Sequence, residues 1–526
     1  MNTRNASGPF RKGQTRRQFL KLAGCGALGA VAGGLRSAGD LFAAGAESPD
    51  AFTPDLDIAL WAEPGEMVFF PGKPTTVWRY RATVLKGRPS RIVEPPDSYL
   101  GPTIKARRGE KVRIRFQNRL PEETIVHWHG LHVPAIMDGH PRYAVPPGAF
   151  YLYEFEVKNR AGTYWYHPHP HGRTGPQVYH GLAGLFIVSD AEEGAAGLPD
   201  GESDIALVIQ DRIFGPDNQL VYRSGHRMAQ MTGFLGDRIL VNGRPDFTLP
   251  AAAGPHRLRL LNGSNARIYR LAWADGRPLT VIGTDGGLLA RPVQRRYAFL
   301  SPGERLEIWA DFSDRPVGSE TALVSLPFAG GGMRAGRMGS GMMMGGRRGA
   351  GPGLPNGAPF TLFRIHVTRQ GKNRGSLPER LSEPARLRDA EMADASRPKP
   401  FHLTMQHMQW SINGRVFQME AVAPDEMVRL GSREIWEFSN IGGMMPMMDM
   451  PHPMHLHGKQ FRIIARSGVR HEGYVDEGWK DTVLLMPGER VRILVEFGDY
   501  PGLFLYHCHN LEHGDMGMMR NYFVRG

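Results

Sequence analysis

The chain has 526 residues and a formal net charge of +12, with 64 Lys or Arg, 52 Asp or Glu and two cysteines. A chain of this length is too long for a single core, so two to four domains are expected. The positive charge is not gathered into one cluster, which argues against a nucleic-acid-binding protein. Cys25 lies in a segment that we expect to be removed, so Cys508 is left alone and no internal disulfide is expected.

The first 46 residues resemble a twin-arginine export signal. Arg16 and Arg17 precede an apolar stretch of small residues (22–35), and Ala-Gly-Ala at 44–46 offers a cleavage site. The apolar stretch is shorter than the ~20 residues that span a bilayer. The segment carries seven Lys or Arg against one Asp, so its removal takes +6 from +12 and leaves +6. We predict export to the periplasm by the twin-arginine machinery, a mature protein without a membrane span, and a monomer.

Three similar segments predict a repeated all-β unit. Each begins with a Pro-Gly turn and continues as an alternating strand: PPGAFYLYEFEV (146–157), SPGERLEIWADF (301–312) and MPGERVRILVEF (486–497). Upstream of each lies another alternating strand that ends in Asn, in KVRIRFQNRL, HRLRLLNGS and REIWEFSN. The copies are spaced like whole domains. We therefore predict three consecutive β-sandwich domains at 50–195, 196–370 and 398–526, with 371–397 as a linker.

Residues 328–357 are low in complexity and rich in Gly, Met and Arg. Such a composition cannot bury a core, so we predict a mobile loop inserted in the second domain. An insertion without function is an equally good interpretation of this segment at this point.

Four separate stretches of the sequence carry a His-x-His pair, two in the first predicted domain and two in the third. Side chains at i and i+2 of a strand point to the same face, so each pair directs two imidazoles to one place. If the two domains pack together, eight imidazoles meet, which suits about three ions of copper, zinc, iron or nickel. One such pair alone would be explained as ordinary hydrogen-bonded histidine. The pairs are His127/His129, His167/His169, His455/His457 and His507/His509.

Cys508 lies between two of these histidines, so its sulfur should point to the opposite side of the strand. His513 follows five residues after it and Met518 ten residues after it. Together with His452 they offer two His, one Cys and a Met, which is the blue-copper electron-transfer arrangement. An electron that reaches this site would have a short covalent route to the neighbouring histidines.

The motifs HWHG, HPH, HPMHLHG and HCHNLEHGDMGM resemble the four copper-binding motifs of the three-domain multicopper oxidases, which include laccases and bacterial copper-efflux (cuprous) oxidases. The similarity extends over essentially the whole mature chain. HPHPHGRTGPQVYHGLAGLFIV and GWKDTV are especially similar to the periplasmic copper-efflux oxidases. The resemblance implies three cupredoxin-like Greek-key β-sandwich domains and four copper ions: one type 1, one type 2 and a type 3 pair.

The resemblance also implies a role for each ligand position. The implied type 1 ligands are His452, Cys508, His513 and Met518. The implied type 2 ligands are His127 and His455. The implied type 3 ligands are His129, His167, His169, His457, His507 and His509. Three further histidines match no ligand position and are expected to be ordinary polar residues: His132, His171 and His180.

The resemblance implies one-electron oxidation of a reductant at the type 1 site and four-electron reduction of O2 to water at the other three ions. Asp138 matches an acidic position near the cluster, where we predict a general acid; a carboxylate of a surface turn is the alternative. Asp481 resembles a carboxylate that orients a copper ligand. The copper-efflux oxidases carry a carboxylate directly after the last type 1 histidine, whereas this chain has Gly514 there. Glu512 and Asp515 are therefore the nearby candidate proton donors.

The methionines bear on the electron donor, because thioethers are soft ligands that select Cu(I). The candidate Cu(I) ligands are Met448, Asp449 and Met450 before the first type 1 histidine, and Met342, Met343 and Met344 in the loop. Two observations argue the other way. The loop also carries four arginines, which repel a cation, and the methionines before the histidine could simply pack a substrate groove.

Three hypotheses follow. The leading one is a periplasmic multicopper oxidase that oxidises Cu(I) in copper tolerance and also accepts phenols. The first alternative is a laccase-like phenol or metal oxidase without a dedicated cuprous role. The second is a non-enzymatic, copper-free cupredoxin scaffold of the cell-division type, which is disfavoured because those relatives lack the copper ligands that this chain has.

Overall fold

The structure is a computed structural model. It describes residues 52–222, 227–329, 354–371, 375–383, 397–406, 408–441, 449–468 and 471–526. Several predicted features lie outside these residues: the export signal, most of the linker and of the Gly/Met/Arg-rich loop, and the candidate ligands Met342, Met343, Met344 and Met448.

Strands dominate the described chain and fall into three consecutive groups. The first group is β1 (Leu56–Met67), β2 (Thr75–Lys86), β3 (Ile92–Val93), β4 (Thr103–Arg107), β5 (Lys111–Asn118), β6 (Val126–His129), β7 (Phe150–Glu156), β8 (Gly162–Pro168) and β9 (Gly184–Ser189). The second is β10 (Asp204–Arg212), β11 (Arg238–Val241), β12 (Arg244–Pro245), β13 (Thr248–Ala253), β14 (Pro255–Asn262), β15 (Tyr269–Trp273), β16 (Leu279–Thr284), β17 (Gly287–Arg295), β18 (Ala298–Leu300), β19 (Arg305–Asp311), β20 (Glu320–Ser325) and β21 (Phe360–Gln370). The third is β22 (Lys399–Gln406), β23 (Gln409–Ile412), β24 (Met427–Arg429), β25 (Ser432–Asn440), β26 (His452–Leu456), β27 (Phe461–Ser467), β28 (Thr482–Leu485), β29 (Glu489–Phe497), β30 (Gly502–Cys508) and β31 (Met519–Arg525).

Each group forms two sheets around its own apolar core, and we call the groups the first, middle and third domains. The sheets of the first domain are β2-β1-β5-β7 and β3-β4-β9-β8-β6. Those of the middle domain are β12-β11-β10-β14-β19-β16-β17 and β13-β21-β20-β15-β18. Those of the third are β23-β22-β25-β29-β27 and β24-β31-β30-β26-β28. The prediction of an all-β protein built from consecutive sandwiches is confirmed.

The repeated Asn and Pro-Gly residues share one local structure in all three domains. The Asn-ended strands β5, β14 and β25 pair antiparallel with the strands that follow the turns, β7, β19 and β29. Each buried Asn amide donates to the carbonyl two residues before the turn proline: Asn118 to Val145, Asn262 to Leu300 and Asn440 to Leu485. In return, Gly148, Gly303 and Gly488 donate their N–H to the Asn carbonyls. These glycines have φ of +77°, +85° and +85°, which explains why glycine recurs there.

Helices are few and short among the described residues. The α-helices are α1 (Thr174–Tyr179), α2 (Ala191–Ala195), α3 (Arg227–Thr232) and α4 (Leu511–Asp515). The 3-10 helices are Pro89–Arg91, Ala135–Met137, Pro141–Tyr143, Gly201–Ser203 and Pro424–Glu426. None of these helices has the length and apolar character needed to cross a bilayer.

The middle domain packs against both of the others through apolar clusters. Trp165 and Leu185 of the first domain meet Val208 and Leu261 of the middle domain. Phe299 of the middle domain packs with residues 474, 484 and 486 of the third. The first and third domains meet directly near β6, β8, β26 and β30. These strands carry five of the eight paired histidines, and the other three, His169, His457 and His509, directly follow β8, β26 and β30.

Candidate metal centres

Strand register brings the histidine pairs together. In the first domain, His127 of β6 lies opposite His167 of β8. In the third, His455 of β26 lies opposite His507 of β30, and Met454 lies opposite Cys508. Because side chains alternate along a strand, the histidines on either side of Cys508 face the first domain while the sulfur faces away from it. The remaining histidines of each pair extend the same faces by one step of two residues.

All eight paired histidines are buried, and their ring nitrogens converge from both domains. The Nε2 atoms of His127 and His455 are 3.3 Å apart. Nε2 of His507 lies 3.0 Å from Nε2 of His457 and 3.3 Å from Nε2 of His169. A further approach, 3.4 Å, joins Nδ1 of His129 to Nε2 of His167. The eight rings therefore form one cluster between the first and third domains.

The outward nitrogens of six of these rings donate hydrogen bonds to carbonyl or carboxyl oxygens. Nδ1 of five rings donates to such an oxygen: His127 to the Asp138 carbonyl (2.7 Å), His455 to the Asp481 carbonyl (2.8 Å), His457 to Asp138 Oδ2 (2.8 Å), His167 to the Pro168 carbonyl (2.9 Å) and His507 to the Cys508 carbonyl (3.0 Å). His129 is reversed, since its Nε2 donates to Asp481 Oδ1 at 3.0 Å. These bonds fix each tautomer and leave an unprotonated nitrogen facing the other rings, as metal-binding histidines require.

The charge state of the cluster also suits a metal. Burial, reinforced by the neighbouring imidazoles, lowers the pKa of His127, His455 and His509 well below the ordinary value, and burial lowers the pKa of His167 to about 3. Neutral imidazole is the form that ligates. Both ring nitrogens of His509 are buried without a hydrogen-bond partner among the described residues, although the ring centroid lies 4.9 Å from that of His129. A buried ring of this kind needs a ligand, and a metal ion fits.

The second centre surrounds Cys508. Its Sγ lies 3.5 Å from Nδ1 of His452 and 3.7 Å from Nδ1 of His513, and these two nitrogens are 3.3 Å apart. Donors bonded at about 2.0–2.3 Å to one shared ion lie roughly 3.3–4 Å from each other, so the three atoms fit a single ion. Met518 is buried in the same core, and its carbonyl accepts from the Cys508 N–H at 3.0 Å. Two imidazoles, a thiol and a nearby thioether form the donor set expected of blue copper.

Two family models described as multicopper oxidase match this chain, at residues 76–193 and 392–526. A multicopper oxidase of Staphylococcus epidermidis is 32% identical over 420 residues, which cover 80% of this chain and 81% of the relative. The chain belongs to the multicopper oxidase family.

Two other matches extend over more of this multicopper oxidase. The crystal structure of McoA from the hyperthermophile Aquifex aeolicus has a TM-score of 0.74 and 35% identity, and the match covers 90% of this chain and 97% of that one. Cell division protein FtsP of Sodalis glossinidius is 32% identical over 519 residues, covering 97% of this chain and 98% of the relative. The cupredoxin fold and copper binding expected of the family agree with the histidine and cysteine clusters. The protein is an oxidoreductase that uses O2 as electron acceptor.

Asp138 and Asp481 both contact histidines of the cluster directly. The Asp138 carbonyl accepts from His127 Nδ1, and Asp138 Oδ2 accepts from His457 Nδ1. Oδ1 has no hydrogen-bond partner in the described part of the chain. Burial raises the pKa of the Asp138 carboxyl well above its ordinary value. Asp481 Oδ1 accepts from His129 Nε2, and the Asp481 carbonyl accepts from His455 Nδ1. Asp481 thus orients one histidine of the first domain and one of the third.

Glu512 and Asp515 occupy different places although they lie three residues apart. Glu512 accepts hydrogen bonds from the Tyr222 hydroxyl, the Asn265 amide and the backbone of Phe234, and it does not line the histidine cluster. Asp515 lines a cavity of about 10 Å³ together with His169 and His507, enough for about one water molecule.

Two residues that line this cavity, Gly514 and Asp515, bear on proton supply. Gly514 also lines it, so the absence of a side chain at that position keeps the space. Asp515 accepts from the N–H groups of Thr174 and Gly175, and burial raises the pKa of its carboxyl to about 7. Of the two candidate donors, the geometry favours Asp515.

The described candidate Cu(I) ligands differ in accessibility. Met450 is only 5% exposed and packs in the core of the third domain, so its thioether is not presented to an incoming ion. Oδ1 of Asp449 is buried without a hydrogen-bond partner in the described ranges. The packing interpretation of the methionines therefore holds for Met450.

Two residues near the cysteine site carry no signal in the sequence. The indole of Trp410 lies 4.7 Å, between ring centroids, from both His452 and His513. The Met231 carbonyl, on α3 of the middle domain, accepts from Trp410 Nε1 at 3.2 Å and from His513 Nε2 at 2.9 Å. The middle domain therefore covers this edge of His513, and both imidazoles of the cysteine site are buried.

The three unassigned histidines make ordinary hydrogen bonds or ring contacts. Nδ1 of His132 donates to the Gly458 carbonyl, and Nδ1 of His180 donates to the Pro176 carbonyl. The ring of His171 lies 4.9 Å, between centroids, from that of Phe417, with the two planes tilted by 51°. None of them belongs to a candidate metal group among the described residues.

Proposed function

We propose that this multicopper oxidase holds four copper ions and couples one-electron oxidation of Cu(I) or phenols near Cys508 to the four-electron reduction of O2 to water among the eight histidines. The proposal includes a role in copper tolerance and export to the periplasm by the twin-arginine route, which the N-terminal motif supports. Cell fractionation of an Arg16→Lys, Arg17→Lys double variant tests the export; full periplasmic recovery would contradict it.

The position of Cys508 carries the proposal. Its sulfur faces His452 and His513, while its backbone continues on both sides into histidines of the other cluster. The Cys508 carbonyl also accepts from His507 Nδ1, which adds a hydrogen bond to the covalent link. Bound copper supplies one-electron chemistry at the sulfur and O2 reduction at the histidines. The protein holds the imidazoles neutral and oriented, excludes bulk water and joins the two sites through one tripeptide.

The scaffold alternative receives some weight from the relative named as a cell division protein, which matches nearly the whole chain. A scaffold without copper has no use for buried ring nitrogens such as those of His509, which have no hydrogen-bond partner among the residues that the structure describes. Nor does it need a thiol flanked by two imidazole nitrogens within 3.7 Å. The donor set therefore supports the enzyme over the scaffold.

Copper loading of the mature protein tests the proposal directly. We expect four copper ions per chain, a blue colour from the Cys508 site, and consumption of one O2 for every four electrons taken from the reductant, without released peroxide. Atomic absorption, visible spectroscopy and an oxygen electrode measure these quantities. A protein that binds no copper and consumes no O2 would support the scaffold instead.

The argument for the electron donor comes from the methionines. Soft thioethers in the sequence around 444–450 and in the loop favour Cu(I). The burial of Met450 favours the laccase-like alternative, in which methionines pack the protein and phenols are the substrates. Both donors deliver single electrons, so one enzyme can accept both.

Removal of the loop distinguishes these donors. The loop should be cut at 330–353, because the carbonyls of Leu354 and Pro355 accept from the buried Arg267 and the Asn356 side chain accepts from the backbone of Ile268. If the loop captures Cu(I), the deletion should lower cuprous turnover by about 10-fold, a change of roughly 1.4 kcal/mol, and leave phenol oxidation unchanged or higher.

A variant with Met342, Met343 and Met344 replaced by Leu is the matched control, since it keeps loop length and removes only the sulfur atoms. Parallel steady-state oxidation of Cu(I) and a phenolic dye measures the effect. Loss of cuprous turnover in both variants supports the thioether role. Unchanged cuprous turnover in both contradicts any role of the loop.

A further inference from the structure

The middle domain contributes no residue to the candidate metal groups found among the described residues, yet one of its turns reaches the histidine cluster. The turn is the Pro-Gly repeat that precedes β19. A Cβ built on Gly303 would lie 2.9 Å from Cδ2 of His509 and 3.0 Å from Cε1 of His129. The backbone of this glycine therefore lies directly against two histidines that the other two domains supply.

Arg305 follows two residues later and uses all five of its N–H donors. Nε donates to the Thr163 carbonyl of the first domain at 2.8 Å. Nη1 donates to the Gly303 carbonyl and to Asp481 Oδ1, both at 2.8 Å. Nη2 donates to the Asp285 carbonyl at 3.0 Å and to Asp481 Oδ2 at 2.5 Å. One buried guanidinium thus connects all three domains, and its bidentate bond holds the Asp481 carboxylate in one plane.

The held carboxylate determines how His129 presents its ring. Asp481 Oδ1 accepts from His129 Nε2, so the other nitrogen, Nδ1, is directed towards His167. Gly130 packs tightly against this pair, because a Cβ built on it would lie 2.6 Å from Arg305 Nη2 and closer still to Asp481 Oδ2. The contacts run in series from the guanidinium through the carboxylate to the imidazole.

The other two copies of the turn show that this contact is not a general property of the repeat. Around Gly148, in the first domain, no atom of the described residues lies within 4 Å of a built Cβ. The residues at the position of Arg305 are Phe150, which is 45% exposed, and Arg490, which is exposed. Only the middle copy is buried against the cluster.

We propose that the middle-domain turn 301–305 is a positioning element for the copper pair, with Gly303 setting the separation of His129 and His509 and Arg305 orienting His129 through Asp481. This inference rests on the proposed function, since it assumes that these histidines bind copper. Side chains that orient a ligand typically change metal affinity by about 10–100-fold when they are replaced. The middle domain, which supplies none of the candidate ligands among the described residues, would then determine whether the histidines can hold the full set of copper ions at the O2 site.

Gly303→Ala tests the first part, with Gly148→Ala as the matched control. Both changes place a Cβ at positive φ in the same type of turn, but only the first meets histidines. We expect Gly303→Ala to weaken copper binding at the pair about 10–100-fold. It should also lose the near-ultraviolet absorption and magnetic coupling of that pair while the blue absorption of the Cys508 site is kept. Gly148→Ala should keep both signals.

Arg305→Lys tests the second part, with Arg257→Lys as the control. Arg257 is similarly buried, and its ion-pair partners, Glu193 and Glu307, belong to no candidate metal group among the described residues. Lysine keeps the charge of residue 305 and cannot form the bidentate bond. We expect a reduced ratio of pair signal to blue signal only in the Arg305 variant, together with a smaller copper-induced rise in the thermal unfolding midpoint.

The ratio of the pair signal to the blue signal, measured on the same variant, distinguishes a positioning role from a general loss of stability. If both signals fall together, or if the control variants lose the pair signal to the same extent, the inference is overturned. Full copper content and an unchanged ratio in Gly303→Ala and Arg305→Lys overturn it as well. Failure of the proposed function looks different, because the unmodified protein would then itself lack copper.

Discussion

Replacing Cys508 by Ser should remove the blue absorption of the copper-loaded protein and lower oxidase turnover by more than about 10³-fold, equivalent to roughly 4 kcal/mol in the activation barrier. Serine offers a hard hydroxyl oxygen in place of the soft thiolate sulfur that binds copper at such a site. In the proposed function, Cu(I) and phenols both pass their electrons to the enzyme at this site, so neither activity should survive. The fold should survive, since the side chains are similar in size and a buried hydroxyl without a good partner costs about 1–3 kcal/mol.

Two measurements make this prediction specific to the sulfur. Copper analysis should show that Cys508→Ser keeps the ions held by the eight histidines, because those rings are oriented by other residues. Met518→Leu should keep the blue colour and shift the reduction potential, since an axial thioether tunes the potential without supplying the thiolate. A serine variant that stays blue, or that oxidises Cu(I) and phenols at the original rate, would contradict the assignment of the site.

The parts of this protein that could be predicted from the sequence are those encoded by short, regular spacing. An alternation of two residues places His507 and His509 on one side of a strand and Cys508 on the other, and the structure has this arrangement. The Asn and Pro-Gly repeat could be found because the Asn amide and the Gly N–H bond within a single local unit. Such patterns need no knowledge of how the domains pack.

The parts that could not be predicted depend on contacts between distant segments. Arg305 reaches Asp481 across 176 residues, and the Met231 carbonyl reaches His513 across 282 residues. Neither has a spacing that distinguishes it from an ordinary surface arginine or helix residue. Trp410 likewise resembles a common strand aromatic, and only the structure shows that its ring lies beside both imidazoles of the cysteine site. Domain packing, and not local pattern, gives these residues their roles.

Burial also separated candidates that the sequence left equivalent. Glu512 and Asp515 flank the position where related copper-efflux oxidases carry a carboxylate, but only Asp515 shares a cavity with histidines of the cluster. Met450 and Asp449 are adjacent in sequence, yet Met450 packs in the core of the third domain, whereas Asp449 keeps a buried carboxylate oxygen without a hydrogen-bond partner among the described residues. Accessibility follows from which side of a segment faces the core, and short irregular segments do not show this in their sequence.

Asp138→Asn should lower O2 consumption by about 10²–10⁴-fold while copper content stays near that of the unmodified protein. The amide oxygen of asparagine can still accept from His457 Nδ1, and the backbone carbonyl still accepts from His127. What the variant loses is a proton. Burial raises the pKa of the Asp138 carboxyl, so the group stays protonated to higher pH than an exposed aspartate, and Oδ1 is free of other partners among the described residues.

Asp138→Ala separates proton supply from ligand orientation. Alanine leaves His457 Nδ1 without its acceptor, so copper affinity should also fall by about 10–100-fold. Reoxidation of the fully reduced protein by O2 in a single turnover, combined with copper analysis, measures both effects. An asparagine variant that reoxidises at the original rate excludes Asp138 as the proton donor. Equal copper loss in both variants would mean that the negative carboxylate, and not its proton, is what the histidines need, and the proton would then have to enter from the side of Asp515, whose cavity lies against His169 and His507.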